Sequence, residues 1–172
     1  MTRKDIPGVL EVEKTAFPLS PYSKEVYESI LHDPKAYPVV ACKNGEIAGN
    51  AVIWIGRDAP WHDSKDDPQK AYLFTLGVKP SFQGQKIGEQ LLYHVLSACV
   101  GAGIASCTLR VMEGNIPAIH LYEKFGFQDT GKREPKHYAP EGKDGIHMEL
   151  KNMQSQAFKE KLEEIGKKLK RF

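Results

Sequence analysis

Two stretches of this 172-residue chain carry residue types spaced for chemistry. The first runs Tyr72-Leu73-Phe74-Thr75-Leu76-Gly77-Val78 and on to Gln83-Gly84-Gln85-Lys86-Ile87-Gly88. An alternating apolar strand enters a loop with two glycines, and an amphipathic helix follows at once. Such a junction gathers backbone N–H groups at the positive end of a helix dipole, where a pyrophosphate binds. Gly84 lets the backbone come close to an anion, and Gly88 allows tight packing in the first helical turn. The Lys-Ser/Thr of a P-loop and the three spaced glycines of a dinucleotide fingerprint are both missing, which points away from nucleoside triphosphates and nicotinamides. A glycine pair alone also suits an ordinary strand-to-helix turn. The second stretch shifts that balance: Leu109-Arg110-Val111-Met112-Glu113-Gly114-Asn115 leads into a helix that carries Tyr122 and stops at Gly126-Phe127.

The elements around these stretches are legible from periodicity and breakers. Residues 4–16 predict a helix with Ile6, Val9, Leu10 and Val12 apolar. Pro18 and Pro21 break Phe17-Pro18-Leu19-Ser20-Pro21-Tyr22, and a second helix runs from Lys24 to Leu31. Pro38–Ala41 and Glu46–Ile55 read as strands joined at Asn44-Gly45. Residues 56–70, polar and with two prolines, read as an exposed loop. Tyr72–Val78 is the next strand, followed by a helix from Gly84 to about Ala102. Ser106–Val111 is a short strand, Ile116–Phe125 a helix ended by Gly126, and Phe127–Thr130 with Gly145–Leu150 a closing hairpin. This order implies one α/β domain, a central mixed sheet with helices on both faces.

Residues 154–170 form a further helix with Phe158, Leu162, Ile165 and Leu169 on one stripe, suited to packing on the domain or a partner, or to a membrane surface. Residues 151–172 carry a net charge of +4 and the first 150 residues −2, so the basic surplus sits in the tail. A net +2 exerts no general pull on nucleic acid. Three cysteines without paired spacing suggest a reducing, cytoplasmic setting and three buried thiols. No His, Cys, Asp or Glu set has metal-ligand spacing. His147, between Ile146 and Met148 in a strand, is expected to face solvent.

Together, Gln83–Gly88 and Asn115-x-x-Ala118-x-x-Leu121-Tyr122-x-x-x-Gly126-Phe127 resemble the acetyl-CoA-binding core of the GNAT acetyltransferase superfamily. The resemblance implies a mostly antiparallel sheet splayed between its two central parallel strands, over an acetyltransferase domain at 1–152 with 153–172 as an appended amphipathic helix. It implies that backbone N–H groups of Gln83, Gly84, Gln85, Lys86, Ile87 and Gly88 hold the pyrophosphate of acetyl-CoA. It also implies that Leu76 and Val78, on a bulged strand, pair with the pantetheine arm and stabilise the oxyanion. Asn115 would bond that arm, and Tyr122 would serve as general acid or orienting donor for the departing thiolate.

Within the superfamily the chain is most similar to protein N-terminal (Nα) acetyltransferases, including those acting on an alanine of a ribosomal protein. Phe17, Pro18, Leu19 and Tyr22 resemble the loop that receives a substrate peptide's first residues. Tyr72 matches a strand tyrosine that helps deprotonate the α-amine, or else is a cross-strand aromatic. Lys136-His137-Tyr138 resembles the hairpin whose tyrosine closes over the peptide. The implied substrate is a protein or peptide N-terminus. An auxiliary subunit is compatible, and a membrane surface only through the last helix.

Three departures stand out. Lys86 occupies a loop position usually held by glycine. Arg110, which cannot accept a proton at neutral pH, stands where the nearest members keep a His, leaving Glu113, His120 and His137 as candidate substitutes. The family usually opens with a strand before the first helix, whereas this sequence starts at that helix, so either the strand is absent or the chain is a truncated version. Two alternatives to Nα-acetylation remain: acetylation of a small amine or lysine side chain, and a non-catalytic acyl-CoA-binding module.

Overall fold

A computed structural model describes residues 1–56, 67–138 and 142–169. Most of the loop expected at 56–70 and the last basic residues, Lys170 and Arg171, lie outside the described residues. A short 3-10 turn at Arg3–Asp5 leads into α1 (Ile6–Ala16), and α2 (Lys24–His32) follows the two-proline loop. The strands are β1 (Ala36–Lys43), β2 (Glu46–Ile55), β3 (Lys70–Val78), β4 (Ser106–Met112), β5 (Gln128–Tyr138) and β6 (Lys143–Leu150). Between them lie α3 (Ile87–Gly101) and α4 (Ile116–Phe125), and α5 (Gln156–Leu169) closes the described chain. No strand precedes α1 among the described residues.

The six strands form one sheet in the order β1-β2-β3-β4-β6-β5. Every neighbouring pair is antiparallel except β3–β4. Alternation along each strand sends side chains to two cores. Ala71 and Leu73 of β3 with Cys107, Leu109 and Val111 of β4 face α3, α4 and α5. Tyr72 of β3 and Val52 and Trp54 of β2 face α1 and α2, meeting Ile6, Val9, Tyr27 and Ile30.

β3 and β4 pair in parallel only from Lys70↔Ser106 to Leu73↔Leu109. Against β2, Thr75 pairs with Val52 and Leu73 with Ile53, so Phe74 is an extra, bulged residue. A bulge bends and twists its strand, and the β3–β4 pairing ends beside this one. The sheet is therefore open between Thr75–Val78 and Arg110–Met112.

Three expectations are corrected. The helix expected from Gly84 begins at Ile87, because Pro80–Phe82 form a 3-10 turn and the loop's glycine, at φ +74, cannot continue a helix. Cys42 is exposed while Cys99 and Cys107 are buried. Burial pushes the Cys99 thiol up to about 12 and Cys107 well above its usual value, so neither supplies a thiolate. His147 does not face open water: it is half-buried, and its Nε2 lies 3.0 Å from Glu134 Oε1.

The C-terminal stripe is absorbed by the domain. Phe158, Leu162, Ile165 and Leu169 are all buried in the core shared with α3. The two helices cross closely, since a Cβ on Gly166 would lie 2.6 Å from Tyr93 Oη. The stripe is thus turned toward the core. No helix among the described residues is long and apolar enough to cross a membrane.

Candidate active site

A cleft of about 480 Å³ lies at the mouth of the β3–β4 opening. One wall is the loop after α1, with Phe17, Pro18, Leu19, Ser20 and Tyr22; the other is the β5 end, with His137 and Tyr138. Leu73, Phe74, Thr75 and Leu76 of β3 and Arg110, Val111 and Met112 of β4 line the base, with Asn115 and Tyr122 beside them. Residues far apart in sequence thus surround the place where the sheet is unpaired.

The direction of the free β3 backbone follows from one hydrogen bond. Lys79 N–H donates to Ala48 C=O on the β2 side at 2.9 Å. Successive residues alternate in the direction of their backbone groups, so the N–H groups of Val78 and Leu76 point the other way, into the opening. Buried amides need acceptors. A ligand with amide groups in extended form suits this strand edge, and the pantetheine arm of acetyl-CoA carries two. Gln83 reaches back to cap the Val78 carbonyl, its Nε2 3.4 Å from that oxygen.

The anion loop lies at the far end of this edge. Gly84 has φ +74, and a Cβ placed on it would meet nothing within 4 Å, so the backbone there is open to a ligand. Ile87, Gly88 and Glu89 precede the first intrahelical bond, Gln90 N–H to Lys86 C=O at 3.0 Å, so the helix leaves their amides without carbonyl partners. The Gln83 amide is different: it donates to Pro80 C=O at 3.2 Å within the 3-10 turn. Lys86 is the N-cap residue at φ +61, in the left-handed region. That explains why glycine is usual there, and it shows that lysine bears the strain. Gly88 faces Leu121 of α4, and a Cβ would approach Leu121 Cδ2 to 3.3 Å. Lys43 Nζ braces the loop through Gln85 Oε1 at 2.6 Å.

Asn115 has a structural duty, since its Oδ1 caps α4 by accepting from Ala118 N–H at 3.4 Å. The residue also lines the cleft. Tyr122 is buried against Phe127, ring centroids 5.8 Å apart. Burial first, then the neighbouring phenols Tyr138 and Tyr72, push the Tyr122 pKa up. It therefore stays protonated and can donate, which is what a leaving thiolate needs. Tyr22 is raised in the same way, by burial and then by Tyr72 and Glu13. Tyr72 sits behind the cleft, buried among Val9, Tyr27, Val52 and Trp54, rather than on its wall.

Arg110 does not stand as an isolated cation. Its Nη1 is 2.8 Å from Glu134 Oε2, and its side chain is only 4% exposed. The same Glu134 carboxylate lies 3.0 Å from His137 Nδ1 and 3.0 Å from His147 Nε2. Of the three candidate substitutes for the missing His, His137 lines the cleft, while Glu113 and His120 are exposed away from it. Sequence periodicity does not reveal Glu134 or the α1 carboxylate Glu13, because both are charged residues on otherwise ordinary elements. Among the described residues no three His, Cys, Asp or Glu side chains gather as a metal site.

Residues 6–127 match the profile of the Acetyltransferase (GNAT) family. The chain belongs to the GNAT acetyltransferase family. Acetyl-CoA is the acyl donor of this fold, and the unpaired β3 edge and open Gly84 loop fit it. A Bacillus subtilis protein named as a candidate ribosomal protein bS18-alanine N-acetyltransferase is 33% identical over 149 residues, covering 86% of this chain and 90% of that one. The Mycobacterium tuberculosis N-alpha-acetyltransferase RimI is 30% identical over 150 residues, covering 86% and 87%. The crystal structure of the Escherichia coli ribosomal-protein-S18-alanine N-acetyltransferase superposes with a TM-score of 0.74 at 26% identity, covering 88% and 90%. The six-stranded GNAT sheet described above is thus shared with an enzyme of N-terminal acetylation.

Proposed function

We propose that this GNAT enzyme transfers acetyl from acetyl-CoA to the α-amine of a protein or peptide N-terminus, by direct attack with both substrates bound. The observation that carries this is the shape of the cleft. Two walls, Phe17–Tyr22 and His137–Tyr138, flank a slot that leads down to the unpaired edge of β3. An extended chain end fits between two such walls and delivers its amine to the base. The names of the relatives support the same reading, and alanine of a ribosomal protein is the first substrate to try. The reading places the enzyme in the cytoplasm, in keeping with three free cysteines.

Acetyl-CoA supplies the activated acetyl thioester when bound. The amides of Gly84, Gln85, Lys86, Ile87 and Gly88 would take the pyrophosphate, with Gln83 contributing its side chain at the Val78 carbonyl rather than its amide. The Leu76 and Val78 N–H groups would hold the pantetheine and carry negative charge on the acyl oxygen. Asn115 Nδ2 would bond the same arm, and Tyr122 would protonate the sulfur. Tyr138 donates to Arg110 C=O at 3.5 Å, which ties the substrate-covering hairpin to β4. An α-amine has a pKa near 8, so roughly a fifth arrives neutral at about pH 7.4. Proton removal is then a modest task, within reach of solvent in the open cleft beside His137.

The test is a panel of peptides differing in the first residue, with spermidine and free lysine beside it. Strong first-residue preferences support the proposal. Equal rates on spermidine or free lysine overturn it in favour of a small-amine acetyltransferase.

A further inference from the structure

α1 carries a carboxylate sealed from water. Glu13 is fully buried, and desolvation raises its pKa above the ordinary 4.5. A carboxylate in such a place is unfavourable unless it is given donors. Glu13 Oε2 accepts from the backbone N–H of Tyr22 at 3.0 Å, and Oε1 accepts from the Tyr27 hydroxyl at 2.6 Å. Tyr27 Oη in turn accepts from Asn50 Nδ2 at 2.8 Å. Asn50 is on β2, in register with Gly77 of β3.

The other end of the same loop rests on Gly77. A Cβ there would lie 2.9 Å from the Phe17 ring and 3.4 Å from Asn50 Oδ1. So Phe17 occupies the space that a side chain on β3 would fill, while Glu13 holds Tyr22 by its amide. The Tyr22 ring then stacks on Phe74, the bulged residue, with centroids 4.6 Å apart and planes at 26°. Between these two anchors Pro18, Leu19 and Ser20 stand on the cleft wall. Glu13 itself does not line the cleft.

We infer that Glu13 is a positioning residue for the acceptor: its carboxylate holds the Phe17–Tyr22 wall at a fixed distance from β3, and so sets how tightly and how selectively the substrate's first residue is held. This rests on the proposed function in taking that wall as the acceptor's. A backbone N–H given to a charged acceptor is held more strongly than one given to a neutral one. An apolar residue at position 13 would pack α1 against the sheet equally well but leave the Tyr22 amide unpaired and the wall free to shift. The device couples the acyl-donor strand to the acceptor wall through one buried chain, Gly77, Asn50, Tyr27, Glu13 and Tyr22.

The experiment compares Glu13→Ala, Glu13→Gln and Tyr27→Phe with the wild type, by two-substrate kinetics on the preferred peptide and by hydrogen exchange of the Tyr22 amide. Glu13→Ala should raise the peptide KM by on the order of tenfold, the loss of one charge-assisted bond, and flatten first-residue preference. The acetyl-CoA KM should move by less than about twofold, because the donor's edge is untouched. Tyr22 exchange should speed up by a similar factor of about ten, with β4 and β6 amides unchanged. Glu13→Gln keeps an acceptor oxygen and should restore most of both readouts. Should Glu13→Ala fail to fold, Tyr27→Phe, which removes one of the two bonds, gives the same pattern at smaller amplitude. Wild-type peptide KM and Tyr22 protection in the variants would overturn the inference. So would an equal rise in both KM values with protection lost throughout the sheet. If the wild type acetylates no peptide, the functional proposal falls, and the exchange arm still decides whether Glu13 holds the wall.

Discussion

Replacing Glu134 by Gln tests what Arg110 does at the base of the cleft. The substitution keeps the shape and removes the charge opposite a guanidinium whose side chain is 4% exposed; Glu134 itself is 19% exposed. Removing one partner of a buried pair costs about 3–5 kcal/mol, and the partial exposure of Glu134 places this case near about 3. For a domain of this size that lowers Tm by roughly 6–12 °C. Urea unfolding gives the free energy directly. The double variant Arg110→Met with Glu134→Gln should recover most of the loss, because no uncompensated charge is left. Acidification adds a sign. Burial lowers the His147 pKa below 6.5, with Glu134 pulling the other way. A depressed His contributes stability that is complete above 6.5 and is lost as the pH falls through the folded value. Without Glu134 that folded value drops further, so the gap between variant and wild type should be wider at about pH 5.5 than at about pH 8. A Glu134→Gln loss below about 1 kcal/mol, or a double variant no better than the single, would refute a buried pair that depends on both members.

Tyr122 and Tyr72 separate by position. Tyr122→Phe should lower kcat by about a hundredfold with little change in either KM, and unchanged turnover would remove it as proton donor. Tyr72→Phe, behind the wall rather than on it, should cost kcat less than Tyr122→Phe in the same assay; a larger loss would put Tyr72 nearer the reacting atoms than its burial indicates. Lys86→Gly should stabilise the fold by about 0.5–1 kcal/mol in urea unfolding, because φ +61 is strained for lysine and free for glycine. Loss of stability there would mean that the lysine side chain contributes more than its backbone costs.

Element order and the anion loop are open to sequence reading because each rests on local chemistry. Gly126 stops α4 at φ +105, and Asn44-Gly45 turns β1 into β2, as residues that tolerate positive φ do. Periodicity places the start of α3 too early, at Gly84 rather than Ile87, since the 3-10 turn and the left-handed Lys86 leave no periodic trace. Cys42 sits in an apolar-looking strand, yet β1 is an edge strand, and pairing decides exposure there. The alternation of His147 with Ile146 and Met148 gives its face but not what covers it. The covering residue, Glu134, comes from β5 thirteen positions away. Glu13 and Asn50 are hidden for the same reason: their meaning is a buried hydrogen-bond chain, and such chains are made by tertiary contact alone.

The opening between β3 and β4 is the feature on which the proposed function rests. A sheet interior normally satisfies its amides from both sides, and an unpaired edge invites an added strand. Here the bulge at Phe74 creates that edge in the middle of the sheet, where α3 begins at one end and two loop walls meet at the other. The same bulge places an aromatic ring under Tyr22, so on the proposed function the residue that splays the donor's edge also supports the acceptor's wall. On that reading one local insertion fixes donor and acceptor relative to each other. On the proposed function Arg110 stands where similar enzymes keep a histidine, with its Nη1 3.0 Å from His137 on the cleft wall. Its charge is held by Glu134, and the proposed reaction draws on an amine already partly neutral at cellular pH.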